Sequence, residues 1–259
     1  MLPTKTLGTL YGLGVGPGDP ELITVKSLKR LQAASVVAFP AGLDGKPGVA
    51  ERIVEPWLTE AQTRLPLVFP YVLDSQALSI AWQQAAKTVW PYLQKGDVVF
   101  ACEGDVSFYG TFTYLAQHLQ RLHPEVAVEA IAGVSSPMAA AAALGVPLTC
   151  QAEKLAILPA LYSFESNSQK ALSKDSSQGE SQLEGALKWA DVVVLMKVGS
   201  VYTHVWQILK RHRLLESSYV VVNATRSQQQ LFTNLENYPN LQLPYFSLLI
   251  VQSTERKVT

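Results

Sequence analysis

Several features that would announce a function are scarce in this chain of 259 residues. It has only two cysteines, Cys102 and Cys150, without metal-ligand spacing, which excludes a disulfide framework. Its 21 basic and 21 acidic residues cancel, so a broad nucleic-acid surface is not expected and no nucleic-acid partner is assigned. No apolar run reaches the ~18 residues of a membrane span, and no secretory leader is recognisable, so the expected setting is the cytoplasm, away from membranes. No paired-cysteine pattern offers zinc ligands, so no metal is expected. The G-x-S-x-G elbow is also missing, and His118, His123, His204 and His212 all fall on or beside expected helices. A hydrolase is therefore disfavoured.

What the chain does have is a glycine-rich turn near its start. Leu10–Gly14 reads as a short apolar strand, glycines recur at alternate positions 12, 14, 16 and 18, and a helix start follows. Asp19 suits an N-cap, Pro20 the first helical position and Glu21 the first turn. A strand, a glycine turn and a helix make an edge of the kind at which open α/β sheets bind ligands. The spacing fits neither common phosphate motif. Pro17 stands where G-x-G-x-x-G needs its third glycine, and no Gly-Lys-Ser/Thr follows. Pro17 and Pro20 also delete two N–H donors that a phosphate cradle would use. A ligand edge and a plain tight turn both remain open on these residues alone.

Along the chain, strands are expected at 35–39, 64–68, 97–101 and 126–131, with helices at 50–58, 75–93, 112–122 and 138–144. This alternation predicts a mainly parallel sheet in the first half. Ala41–Val49, with Gly42, Gly45, Pro47 and Gly48, is a candidate substrate loop. Further strands are expected at 154–158, 190–196, 219–224 and 245–251, and a helix at 200–212. Residues 163–183 carry seven serines and few large apolar side chains, and read as a flexible insertion or lid. A change of character near Pro124–Gly133 suggests two α/β domains, 1–128 and 129–259.

Glu103 and Asp105 arrive together at the end of a buried strand, where they could act as acid and base or accept hydrogen bonds from a ligand. The alternative is an Asx-turn in which Asp105 bonds its own backbone. Ser135 and Ser136 lie in a second glycine–serine turn, Ala132–Pro137. Met196, at a strand end, is ordinarily core, and Lys197 is ordinarily a solvated charge.

Taken together, five ordered stretches resemble the tetrapyrrole (corrin/porphyrin) methylases: Gly12–Thr24, Val37–Pro40, Glu103–Thr111, Ala132–Ser136 and Met196–Gly199. The resemblance runs from about Gly8 to Val251. It implies a two-domain α/β fold, with S-adenosylmethionine held in the cleft between domains and released as S-adenosylhomocysteine, in a homodimer. Motif by motif, it implies that Pro17 lines that cleft and that Glu103, Gly104 and Asp105 contact the methionine and ribose parts, with Phe108 nearby. It implies that Ser135 and Ser136 hold the methionine end and that Met196 and Ala224 flank the adenine. The Glu103-Gly-Asp-x-x-Phe-Tyr-Gly-Thr111 form and the closing Pro244–Leu248 stretch resemble the branch that methylates the C-20 meso carbon of precorrin-2, giving precorrin-3A on the way to cobalamin. The same methylation of the cobalt-loaded substrate, or another member's reaction, stands as the alternative. Val106 departs from the family's common proline after Asp105. For a sulfonium donor the protein need supply no nucleophile, only alignment with the attacking carbon at about 3 Å. Tyr109 or Glu103 is the candidate for taking the proton afterwards. Lys46 and Arg52, beside the glycine-rich loop, are expected to meet the substrate's carboxylates.

Overall fold

The computed structural model describes residues 7–42, 46–70, 72, 74–160 and 177–252. By its contacts the chain divides into two units, Met1–Ser136 and Pro137–Thr259.

The first unit is built on five strands, β1 (Leu10–Gly14), β2 (Val36–Pro40), β3 (Thr63–Leu67), β4 (Val98–Cys102) and β5 (Val128–Ile131), in the order β3-β2-β4-β1-β5. All four pairings are parallel. Helices α1 (Val25–Ala33), α2 (Val49–Val54), α3 (Ser75–Leu93) and α4 (Phe112–Leu122) connect them. The inner strands β1, β2 and β4 are apolar on both sides, as a covered parallel sheet requires. Tyr11, Leu13, Val99 and Ala101 pack with α1 and α2 residues such as Leu31 and Ile53. Leu10, Val98 and Phe100 point the other way, onto Val89 and Leu93 of α3 and Leu115 and Leu119 of α4. This period-two division puts a helical layer on each face. The mainly parallel first half is as the sequence predicts.

The expected division after residue 128 needs correction. It falls on the first residue of β5, and β5 pairs with β1 along Leu10–Leu13, so contacts divide the chain at Ser136 instead.

The second unit begins in α5 (Ser136–Leu144) and is built on β6 (Leu155–Pro159), β7 (Val192–Met196), β8 (Ser218–Val222), β9 (Gln230–Thr233) and β10 (Ser247–Gln252). Their order is β6-β7-β10-β8-β9, with β6 and β7 parallel and β10 antiparallel to both neighbours. Helices α6 (Ser177–Leu187) and α7 (Tyr202–Arg211) pack on this sheet. Tyr202 is buried there and its hydroxyl donates to the Tyr238 carbonyl at 2.6 Å.

Most of the expected insertion, 163–176, lies outside the described residues. Its last part is corrected: α6 begins at Ser177, and Leu183, 2% exposed, packs with Ala186 in the core. Leu183, Ala186 and Leu187 recur at helical spacing, a stripe masked in the sequence by the polar run before it. Likewise Gly45 of the candidate substrate loop lies outside the described residues, whereas Gly42 and Lys46–Val49 lie within them.

Candidate functional site

Because β1, β4 and β5 are adjacent and parallel, the turns that follow them emerge at one edge of the sheet. There they lock together. The Val15 amide donates to the Cys102 carbonyl at 3.0 Å, and Gly16 and Gly104 exchange backbone hydrogen bonds at 3.2 and 2.8 Å. Gly104 sits at φ +71°, a left-handed conformation that glycine adopts without strain. A Cβ on Gly14 would stand 2.5 Å from the Gly133 nitrogen and 2.9 Å from the Gly104 carbonyl oxygen, so the three turns meet where only glycine fits. Below them, Thr24 caps α1 by accepting from the Ser27 amide and donates to the Ala132 carbonyl at 3.4 Å.

Asp105 is the fastener of this junction. Its Oδ2 accepts from the Gly133 amide at 2.7 Å, and its Oδ1 accepts from the Ser107 amide at 2.8 Å and from the Ser107 hydroxyl. The Asx-turn reading is therefore realised, together with a bond across 28 residues that local sequence does not reveal. Partial burial works against the charge of Asp105. The bonds from the Ser107 hydroxyl, the Gly133 amide and the Ser107 amide outweigh it and hold the carboxyl below its ordinary range.

Around the fastener lie the other expected site residues of this unit. Pro17 is buried in the first turn, and Glu103, Ser135 and Ser136 are half-buried. The Phe108 ring meets Tyr109 edge to face, with centroids 4.8 Å apart. Tyr109 is 52% exposed and held at φ 52°, a left-handed conformation uncommon for a bulky residue. The three turns, 14–19, 103–111 and 132–136, contain Asp19, Glu103 and Asp105 and no lysine, arginine or histidine. Such an edge suits a cationic, hydroxylated ligand and opposes a phosphate. Lys46 and Arg52 are exposed, Lys46 in the segment leading into α2 and Arg52 on it. Among the described residues, no group of three or more His, Cys, Asp or Glu could hold a metal ion.

In the second unit the carboxyl ends of β7 and β8 and the start of β10 share one edge, since Met196 pairs with Leu248 and Val222 with Ser247. Met196 is half-buried and Ala224 is 8% exposed. Beside them three residues adopt left-handed backbone, Lys197 (φ 58°), Asn223 (φ 51°) and Thr225 (φ 64°). The Gln229 side chain accepts from the Thr225 amide at 2.7 Å, and the Asn223 amide donates to the Phe246 carbonyl at 2.8 Å. Arg226, Tyr245 and Phe246 at this edge were not singled out by the sequence reading; its only hint was the closing Pro244–Leu248 stretch. Met196 and Ala224 do meet at one edge, as do the candidates around Asp105 in the first unit.

A fold of two five-stranded α/β units with paired glycine turns defines a class. The family model for Tetrapyrrole (Corrin/Porphyrin) Methylases matches residues 9–238, and the chain belongs to this family. Among its relatives, the cobalamin biosynthesis protein CobIJ of Mycobacterium tuberculosis is 30% identical over 96% of this chain. The alignment covers 47% of that relative, so the chain spans about half the length of the first relatives it matches. The cobalt-precorrin-2 C(20)-methyltransferase of Salmonella typhimurium is 29% identical, covering 94% of this chain and 96% of that protein. The precorrin-2 C(20)-methyltransferase of a Sinorhizobium species is also 29% identical, with 95% of each chain covered. The crystal structure of uroporphyrin-III C-methyltransferase from Thermus thermophilus, complexed with S-adenosylhomocysteine, has a TM-score of 0.61 at 19% identity, covering 94% of this chain and 97% of that one. That likeness concerns the fold.

Proposed function

We propose that the protein transfers a methyl group from S-adenosylmethionine to the C-20 meso carbon of precorrin-2 or of its cobalt-loaded form, in cobalamin biosynthesis. Family membership and two relatives named for this reaction and matched along almost their whole length support the reading. The observation that carries it is the acidic, cation-free junction fastened by Asp105. Its donor set fits the cofactor: carboxylates and backbone carbonyls for a positively charged amino acid and sulfonium, hydroxyls of Ser135 and Ser136, and no phosphate-binding cations. The prolines that remove N–H groups from the first turn fit for the same reason, because the cofactor has no phosphate.

In this reading Pro17, Glu103, Gly104, Phe108, Ser135 and Ser136 contact the methionine and ribose parts, and Asp105 keeps their turns in register. Met196 and Ala224 flank the adenine. The bound sulfonium supplies an electrophilic methyl carbon. The residues of the chain align it and exclude water. Tyr109 or Glu103 takes the proton released from the methylated carbon, since both lie on the turn that carries Asp105. Lys46 and Arg52 meet substrate carboxylates, and their exchange for alanine is expected to raise the substrate KM. Unchanged substrate affinity in both variants removes them from the site. The reading extends to a homodimer in the cytoplasm, which sedimentation at working concentration checks for assembly.

The test joins calorimetry to turnover. S-adenosylhomocysteine is expected to bind one per chain and ATP not to bind, and addition of precorrin-2 to enzyme and S-adenosylmethionine should release S-adenosylhomocysteine. Preference for ATP would overturn the cofactor assignment.

A further inference from the structure

The sheet edge of the second unit carries charges that the reading above leaves unused. Its three segments, 196–199, 223–230 and 243–247, contain two cations, Lys197 and Arg226, and no carboxylate. Each cation is held over an aromatic ring of the third segment. Lys197 Nζ lies 5.6 Å from the centroid of Tyr245, and Arg226 Cζ lies 4.0 Å from that of Phe246. The two rings pack edge to face 5.1 Å apart, and β10 runs between β7 and β8, so the cations flank one aromatic pair. A hollow of ≈ 460 Å³ opens at the same edge, lined by Val222, Asn223, Gln228, Gln229, Gln230 and Pro244.

We propose that Lys197 and Arg226 form a carboxylate-binding site for the peripheral acid groups of the tetrapyrrole substrate, with the amides of the hollow as neutral hydrogen-bonding partners. The choice of ligand rests on the methyl-transfer reading; the anion site itself rests on the edge geometry. A guanidinium stacked on a ring uses its face, and its N–H donors stay in the plane, where they can grip a carboxylate with two bonds. The Lys197 ammonium over Tyr245 serves as a compact second charge. Bonds of the chain itself hold these segments. Lys197 and Thr225 are left-handed, Gln229 pins Thr225, and the Ser247 hydroxyl donates to the Pro244 carbonyl at 2.7 Å. Strained backbone of this kind persists where surrounding structure holds it and clusters at binding sites. The first unit then offers an acidic edge for a cationic cofactor and the second a basic edge for a polyanionic substrate.

The test uses Lys197→Met and Arg226→Met, which keep an apolar stem over each ring, and Arg226→Lys, which keeps the charge. Methyl-transfer kinetics on precorrin-2, fluorescence titration with the octacarboxylate uroporphyrin, and calorimetry with S-adenosylhomocysteine are measured for each. Each methionine variant should raise the precorrin-2 KM and the uroporphyrin Kd about ten-fold, with kcat and the S-adenosylhomocysteine Kd within about two-fold of wild type. Arg226→Lys should recover part of the loss, and added salt should weaken uroporphyrin binding to the wild-type protein, a check that needs no variant. Wild-type KM and uroporphyrin affinity in both methionine variants, or salt-independent binding, would overturn the anion site. Uroporphyrin binding that is lost in the variants, together with a wild-type protein that transfers no methyl group, would keep the anion site and overturn the methyl-transfer reading.

Discussion

Asp105 illustrates how one side chain can serve a site by holding its walls. Its two carboxylate oxygens take up the Gly133 amide and both donors of Ser107, so its removal leaves a backbone N–H without its acceptor. Asp105→Ala is expected to lower stability by about 1–3 kcal/mol and to weaken S-adenosylhomocysteine binding, as read by thermal melts and calorimetry. Normal binding in a stably folded variant would remove Asp105 from the account. The depressed pKa also has a sign. A carboxyl held below its unfolded value contributes stability at pH values above the ordinary range near about 4, and loses it as pH falls through the folded value. The acid limb of the wild-type stability profile should therefore flatten in Asp105→Asn. Cys102 behaves in the opposite way. Burial pushes its thiol up to about 11, outweighing the backbone bonds from Phe112 and Thr111, so it stays protonated at neutral pH. Alkylation of the native protein should label the exposed Cys150 and spare Cys102, checked by peptide mass spectrometry.

At the scale of elements, Leu183 separates α6 from the polar run before it. Its side chain is 2% exposed and packs with Ala186 and Val193. Leu183→Ala should cost about 2–5 kcal/mol in urea unfolding, whereas a surface helix would tolerate the change. The elements legible in the sequence are those whose signal is local. Buried parallel strands such as Val98–Cys102 read as apolar runs bounded by turns, and α3 spans the helix expected at 75–93. β9 was not legible: it is four residues long, mostly exposed, and owes its strand to pairing with β8. The division of the chain was misplaced because membership of β5 in the first sheet is decided by β1, more than a hundred residues away. The glycine turns were legible as turns at a strand end, but the Asp105–Gly133 bond that unites them was not, and neither were the rings beneath Lys197 and Arg226.

Across the whole molecule the charges cancel, yet they are sorted. The turns 14–19, 103–111 and 132–136 of the first unit carry carboxylates and no cation, and the segments 196–199, 223–230 and 243–247 of the second carry cations and no carboxylate. A net charge of zero therefore hides two edges of opposite preference, one for a cation and one for a polyanion. Among the described residues no helix is long and apolar enough to cross a membrane. Methyl transfer to C-20 is read directly by carbon NMR. S-adenosylmethionine labelled with carbon-13 in its methyl group is incubated anaerobically with the protein and either precorrin-2 or its cobalt form. One new methyl resonance, on the C-20 meso carbon of at least one of the two, is the predicted result. A methyl group on another carbon, or none on either substrate while S-adenosylhomocysteine still binds, would contradict it.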